Sequence, residues 1–225
     1  MSEIIWQKRI RNWAGFLGMI LPWLCLFGAY MVNRFTPLGK SFWSDLSISA
    51  TYYITPVLTG ILTTASMVLM CYDGYDLQDN IITTLSGVFG ICIVIFPCNC
   101  SIATAHTGLF QLPVKVSNVI HCISALTFFC LLAYNDMFLF TKHGENMSDK
   151  KKQRNIVYKV CGIGMVIAMI IMLIPVSFPA KIWWVEMIAL TFFGFSWLTK
   201  GDAFPFLNDK PNSAPDSSDV IAGAE

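Results

Sequence analysis

Six stretches of this chain are long and apolar enough to cross a lipid bilayer as helices. About 20 predominantly apolar residues cover the hydrocarbon core of a membrane, and the predicted spans cover residues 13–32, 51–71, 81–97, 116–140, 156–176 and 182–199. Only 13% of the residues are charged, whereas a soluble domain has about 25%. So little charge cannot cover a water-exposed surface, which excludes an ordinary cytosolic enzyme. The sequence therefore predicts an all-α, six-helix transmembrane bundle, that is, a multi-pass integral membrane protein.

The distribution of Lys and Arg predicts the orientation of this bundle. Eleven of the fifteen basic residues fall on the side that holds both termini, and four on the other side. Because cytoplasmic loops carry the excess of Lys and Arg, we expect both termini in the cytoplasm, with the bundle in a cell inner membrane or plasma membrane. Residues 1–206 would form the membrane domain, and the polar segment 207–225 a disordered cytoplasmic tail.

The balance of charge also limits the partners. The net charge is +1 and no basic stripe runs along the chain, which excludes a nucleic-acid partner. The partners that remain are membrane lipids, a protein partner or a second copy of the chain.

Polar side chains collect near the outer ends of the predicted spans. Ionisable groups are costly in lipid, so we expect them to turn towards one another and line an outward-facing pocket that binds a lipid, a small ligand or a protein partner. His121 shares one helical face with Asn118 and Ser124. The predicted ligand-binding residues are Asp45, Ser47, Ser49, Tyr53, His106, Asn118, His121 and Glu186.

The same residues allow two kinds of chemistry. Two imidazoles and two carboxylates (His106, His121, Asp45 and Glu186) could hold zinc. With Ser49, the residues His121, Glu186 and Asp45 are also candidates for the acid–base groups of a membrane-embedded hydrolase or transferase. A small transporter or channel is a third alternative, which the low density of hydroxyl groups midway through the spans disfavours.

An acidic loop lies on the opposite, cytoplasmic side. Asp73, Asp76 and Asp79 fall within seven residues. We expect them to cap the third span and to meet the basic run 150–152 or Lys200, with cation binding as the alternative. The basic run itself is typical of contact with anionic lipid head groups.

Most of the eight cysteines fall inside predicted spans, where a free thiol packs as a small apolar side chain. Cys98 and Cys100 lie on the outer side instead. A disulfide from one of them to Cys122 is the alternative that the sequence leaves open.

Three segments carry a resemblance to known proteins. They are Asp45-Leu-Ser-Ile-Ser in the first outer loop, Phe96-Pro97 at the end of the third span, and His121-x-x-Ser-Ala-x-x-Phe-Phe at the start of the fourth. On these residues the chain resembles the small multi-span membrane proteins grouped with the DRAM-like and related bacterial families of unknown function. The resemblance implies a helical membrane protein of undefined activity, and it gives no catalytic residues to transfer. The His-x-x-x-His pair of the CREST membrane hydrolases is absent from the sequence, which argues against that type of hydrolase.

Overall fold

A computed structural model describes residues 2–74, 76–142, 148–176 and 178–209, with side chains from residue 5 onward. These residues form seven α-helices, joined by short turns and one pair of two-residue strands, β1 (His106–Thr107) and β2 (Leu112–Pro113), which run antiparallel. The helices are α1 (Ser2–Phe35), α2 (Gly39–Ser44), α3 (Val57–Met70), α4 (Leu77–Ile95), α5 (Val114–Tyr134), α6 (Asp149–Leu173) and α7 (Lys181–Lys200). Of the tail predicted to be disordered, residues 210–225 lie outside the described residues.

The six longer helices pack in a closed ring that follows the order of the chain. Each contacts the next in the series α1, α3, α4, α5, α6 and α7, and α7 contacts α1 again. Buried aromatic side chains of α7 and of the end of α5 fill the centre, among them Phe140, Phe193 and Trp197. The ring has two polar ends, which we name the Ser49 end and the basic end after the residues described below.

Five helices are long and apolar enough to cross a membrane: α1, α4, α5 with the π-helical turn Asn135–Leu139 that continues it, α6 and α7. Their outward faces are apolar rather than charged. On α6, for example, the exposed residues Ile156, Val160, Ile163, Ile167 and Ile170 recur at helical spacing. A soluble protein does not leave such stripes uncovered. The prediction of a helical bundle with membrane-spanning helices is therefore confirmed to the extent of these five.

The second predicted span differs from the expectation over residues 51–71. Pro56 is the N-cap of α3, and the residue before a proline is disfavoured in the helical region, so the helix begins only at Val57. Its 14 residues extend over about 21 Å. The preceding residues form a 3₁₀ turn, Ser49–Tyr53, in which Ala50 and Thr51 are buried. Non-helical backbone at membrane depth is tolerated where protein surrounds it.

The contact between α1 and α7 depends on two glycines that face each other. A Cβ atom on Gly194 would lie 2.6 Å from the carbonyl oxygen of Gly15, and a Cβ on Gly15 would lie 2.7 Å from that of Gly194. Small residues of this kind let two membrane helices approach closely. The approach closes the ring and positions Glu186, which lies two turns before Gly194 on α7.

Candidate functional site

The segment between α2 and α3 carries Ser49 into the mouth of the ring. Two backbone hydrogen bonds attach this segment to the start of α7: Ala180 N–H donates to the Ser44 carbonyl at 2.9 Å, and Trp183 N–H to the Leu46 carbonyl at 3.2 Å. Ile48 is buried. The following 3₁₀ turn therefore begins against α7, and Ser49 lies between α5 and α7.

Glu186 of α7 holds this turn through both carboxyl oxygens. Its Oε2 accepts from the backbone N–H of Ile48 at 2.6 Å, and its Oε1 lies 3.0 Å from the Ser49 hydroxyl oxygen. Neither of these contacts involves Lys181, which donates instead to the carbonyl oxygens of Met172 and Ile174. The carboxyl group thus faces the 3₁₀ turn inside the ring, not a neighbouring cation outside it.

His121 of α5 approaches Ser49 from the other side. The side chain is buried, and its Nε2 lies 3.1 Å from the Ser49 Oγ. Its Nδ1 lies 2.9 Å from the Phe96 carbonyl oxygen and 3.2 Å from that of Ile93. Because carbonyl oxygens only accept hydrogen bonds, Nδ1 carries the hydrogen, and Nε2 is the atom that can give or take a proton at Ser49.

The end of α4 explains why a carbonyl oxygen is free to hold His121. In an unbroken helix the Ile93 carbonyl would accept from the N–H of residue 97. That residue is Pro97, which has no N–H, and α4 ends at Ile95. Sequence reasoning missed the carbonyls of Ile93 and Phe96 as partners of the imidazole, although the Phe96-Pro97 pair was the signal that could have revealed them.

The contacts around Ser49 fix the number of protons in the site. Two hydrogen bonds, Nε2 to Oγ and Oγ to Oε1, need two hydrogens, and the Ser49 hydroxyl supplies one. The other must be carried by either His121 or Glu186, so the pair holds one acidic proton. With none, one contact would set two lone pairs against each other. With two, both neighbours would donate to Oγ, and the serine hydrogen would have no acceptor among the hydrogen bonds of the described residues. The Ser49 hydroxyl contacts both groups, so the proton can be transferred through it between His121 and Glu186.

A small, largely apolar cavity adjoins the side chains of Ser49 and Glu186. It has a volume of about 40 Å³, and Ser49 and Glu186 are its polar lining residues; the apolar ones include Leu58, Leu62 and Phe128. A drug-sized ligand occupies a pocket of about 300–1,000 Å³. The cavity therefore accepts a small group, and its walls favour an apolar one.

The remaining residues of the predicted pocket lie apart from this cluster. Asp45 and His106 are exposed, and among the hydrogen bonds of the described residues neither contributes a side-chain bond to Glu186 or His121. In the described parts of the chain no three His, Cys, Asp or Glu side chains lie close enough to share a metal ion. The structure does not bring together the four residues predicted to hold zinc, because Asp45 and His106 belong to connecting segments outside the ring.

Ser47, Tyr53 and Asn118 instead stabilise the connecting segments. The Ser47 hydroxyl accepts from the Ala50 N–H at 2.9 Å, and the Asn118 side chain from the Asn99 N–H at 2.8 Å. The Tyr53 hydroxyl donates to the Cys98 carbonyl at 2.7 Å. These contacts keep the wall around Ser49 in place.

The acidic loop at the basic end of the ring caps α4, as the sequence predicted. The Asp76 carboxylate accepts from the Asp79 N–H at 3.1 Å. Lys142 bridges Asp76 at 2.8 Å and Asp79 at 2.7 Å. The lysine that reaches both acids thus lies beyond the end of α5, not in the run 150–152, because the π-helical turn carries the chain across to α4.

Asp76 and Lys142 lie outside the helices, and the ion pair between them shifts the pKa of each. The Lys142 ammonium beside Asp76 holds the pKa of that carboxyl below its ordinary value. Burial lowers the pKa of Lys142, but the bonds to Asp76 and Asp79 outweigh it and raise the pKa above its ordinary value.

All eight cysteines are unpaired. Cys98 is buried and Cys122 is exposed, so the alternative of a disulfide between the outer connection and α5 is not realised.

Comparison with known proteins gives no relative from which a role could be transferred. No family model, no curated protein and no solved structure matches the chain. Its function has to be inferred from the residues themselves.

Proposed function

We propose that the chain crosses the membrane six times, with α3 and the buried 3₁₀ turn before it together forming the second crossing, and with both termini in the cytoplasm. The excess of Lys and Arg on the side of the termini supports this orientation. Reporter fusions test the proposal. One reporter fluoresces only in the cytoplasm, and the other is a phosphatase that is active only outside it. Fusions after residues 142 and 209 should fluoresce, and a phosphatase inserted after Lys40 should be active. The reverse pattern would overturn the orientation.

We further propose that the protein is a membrane-embedded hydrolase or transferase that acts on an acyl group, with Ser49 as nucleophile. One observation carries this proposal: Ser49 Oγ lies 3.1 Å from the Nε2 of an imidazole whose Nδ1 is held by backbone carbonyls. A nucleophile, a base within hydrogen-bond distance and a group that orients the base are the parts of an activated serine.

The reaction uses the proton that His121 and Glu186 share. With that proton on Glu186, the Ser49 hydroxyl donates to Nε2. Attack of Oγ on the carbonyl carbon of an ester then passes the serine proton to His121. The leaving alcohol takes its proton from Glu186. Water or a second alcohol then attacks the acyl carbon and gives its proton to the Glu186 carboxylate. The imidazolium returns a proton to Ser49 Oγ as the acyl bond breaks, which gives hydrolysis or transfer and restores the starting protons.

The surroundings of Ser49 indicate the class of substrate. The cavity beside the hydroxyl has mostly apolar walls and lies inside the ring. A short acyl group, or the carbonyl end of a longer acyl chain, suits this position and volume, whereas a sugar or a phosphate would lose its hydration there. A lipid ester is the substrate class that these properties favour.

Covalent labelling of the serine tests the proposal directly. Membranes that contain the full chain would be treated with a fluorophosphonate probe, and the labelled residue identified by mass spectrometry. Labelling should occur at Ser49 and be lost in Ser49→Ala. Ser44→Ala is the matched control, because the exposed Ser44 precedes the same turn and should leave labelling unchanged. A wild-type protein that takes up no label at Ser49, with the control folded, would overturn the proposal.

A further inference from the structure

A large cavity lies at the basic end of the ring, far along the helices from Ser49. It has a volume of about 570 Å³, which is within the range of about 300–1,000 Å³ typical of ligand pockets. The start of α1, the end of α7, the start of α6 and the segments next to α4 and α5 surround it. Six cationic side chains and two carboxylates line it; the cations are Lys8, Arg11, Lys142, Lys151, Arg154 and Lys200.

Several of these cations already have a carboxylate partner. Lys8 pairs with Asp202 at 2.7 Å, Lys142 with Asp76 and Asp79, and Arg154 with Asp209 at 3.0 Å. These pairs neutralise part of the wall. They also fix the positions of the loops around the cavity.

Arg11 and Lys151 differ from the paired cations. Within the described residues, Arg11 donates to the backbone carbonyls of Gln7 at 3.1 Å and Lys200 at 3.2 Å, and Lys151 to the Phe140 carbonyl at 2.9 Å. A guanidinium has five N–H donors and an ammonium three. Three donors of Arg11 and two of Lys151 are therefore left for a ligand, and both side chains are half-buried at the cavity wall.

Each of the two charged groups lies close to an aromatic ring. The Arg11 guanidinium lies 5.8 Å from the ring centre of Tyr72, and the Lys151 ammonium 5.6 Å from that of Tyr158. Such contacts hold a cation in place without neutralising its charge. The side chains are thus positioned before any ligand arrives.

From these observations we infer that the cavity at the basic end binds a phosphate group, with Arg11 and Lys151 as its main ligands. A planar guanidinium fork and a compact ammonium together suit a group with several charged oxygen atoms. The phosphate can belong to the head group of an anionic lipid or to a free phosphate in the aqueous phase. The site is separate from Ser49 and does not depend on the function proposed for that residue.

The test compares neighbouring basic residues that do and do not face the cavity. The full chain would be placed in nanodiscs of phosphatidylcholine, and binding of inorganic phosphate followed by calorimetry. In a parallel arm the nanodiscs would contain one tenth phosphatidylglycerol, and native mass spectrometry would count the anionic lipids retained. The test variant is Arg11→Gln with Lys151→Gln. The matched control is Arg9→Gln with Lys152→Gln, because Arg9 and Lys152 are exposed and outside the cavity lining.

We expect the affinity of the test variant for at least one of the two probes to be about tenfold lower than that of wild type, or lower still. Each lost charge-assisted hydrogen bond reduces the affinity by about this factor. The control should bind as wild type does. Binding of phosphatidylglycerol alone would assign the site to a lipid head group, and binding of inorganic phosphate to a soluble ligand. Arg11→Lys with Lys151→Arg keeps both charges and should retain binding, which separates loss of charge from loss of fold. Equal binding by the test and control variants, or no binding of either probe by wild type, would overturn the inference.

Discussion

His121 donates from its Nδ1 to the Ile93 carbonyl oxygen, the acceptor that Pro97 leaves without a helical donor. The distance between the two atoms is 3.2 Å. The Phe96 carbonyl oxygen, 2.9 Å from the same Nδ1, accepts from the same N–H. A break in one helix thus fixes the tautomer of an imidazole on the next. The lone pair of Nε2 then faces Ser49, as a general base requires.

Two substitutions of His121 distinguish the roles of its two ring nitrogens. Asn in place of His121 retains an N–H donor near the position of Nδ1 but has no group at Nε2, whereas Ala removes both. We expect His121→Asn to have an unfolding free energy close to that of wild type and to lose labelling of Ser49 by fluorophosphonate. His121→Ala should lose labelling and also about 1–3 kcal/mol of unfolding free energy, because buried acceptors are left unpaired. Unfolding would be followed by circular dichroism as sodium dodecyl sulfate is added to mixed micelles. Equal stability losses in both variants would contradict the role of Nδ1.

Glu186→Gln tests the shared proton. The amide can still accept from the Ile48 N–H, and its NH₂ group can donate to Ser49 Oγ, as a protonated carboxyl would. We therefore expect a stable variant in which the serine still labels with fluorophosphonate, while turnover of an ester falls because the amide cannot supply a proton to the leaving alcohol.

The control for this prediction is Glu186→Leu, which removes the acceptor of the Ile48 N–H. It should lose about 1–3 kcal/mol of unfolding free energy. If Glu186→Gln were destabilised as much as Glu186→Leu, the site would need a charged carboxylate, and the resting form with the proton on Glu186 would be wrong.

The sequence was sufficient for the parts of the fold that depend on hydropathy. Long apolar stretches bounded by charges gave five helices close to their observed positions, since lipid-facing surface needs continuous apolar sequence. The start of α3 was not anticipated, although Pro56 marks it. A hydropathy average over residues 51–71 gives a proline the same weight as any other residue and does not register the break.

The site was predicted only in part, for a related reason. Ser49, His121 and Glu186 were all named, because polar groups within apolar sequence stand out. Asp45 and His106 were grouped with them by approximate depth alone. Their positions depend on the short helix α2 and on the turn between β1 and β2, whose geometry follows from local backbone conformation rather than from hydropathy.

The ion pair of Asp76 with Lys142 predicts a dependence of stability on acid pH. The contacts from Lys142 and from the Asp79 N–H lower the pKa of Asp76 below its ordinary 3.8. Its contribution to stability is therefore present above pH 3.8 and is lost as the pH falls through the lowered pKa. Asp76→Asn keeps a capping side chain but removes the charge, so the stability of this variant should fall less steeply than that of wild type below pH 3.8.

Thermal unfolding in detergent between pH 2.5 and pH 6 measures this difference. Asp45→Asn is the control, since Asp45 is exposed and accepts no side-chain bond among the described residues; its acid limb should match that of wild type. Parallel curves for Asp76→Asn and wild type would show that the ion pair contributes nothing.

The approach of α1 to α7 predicts opposite effects for two substitutions of glycine by alanine. A Cβ on Gly194 would overlap the Cγ of Met19 and lie 2.6 Å from the Gly15 carbonyl oxygen, so Gly194→Ala must separate the helices and should lose about 1–3 kcal/mol of unfolding free energy. On α3, a Cβ on Gly60 would meet no atom within 4 Å. Gly60→Ala should therefore gain about 0.5–1 kcal/mol, because alanine restricts the unfolded chain more than glycine does. Unfolding by sodium dodecyl sulfate measures both. Equal effects of the two substitutions would mean that α1 and α7 are not in close contact, and the ring that positions Glu186 opposite His121 would then be open.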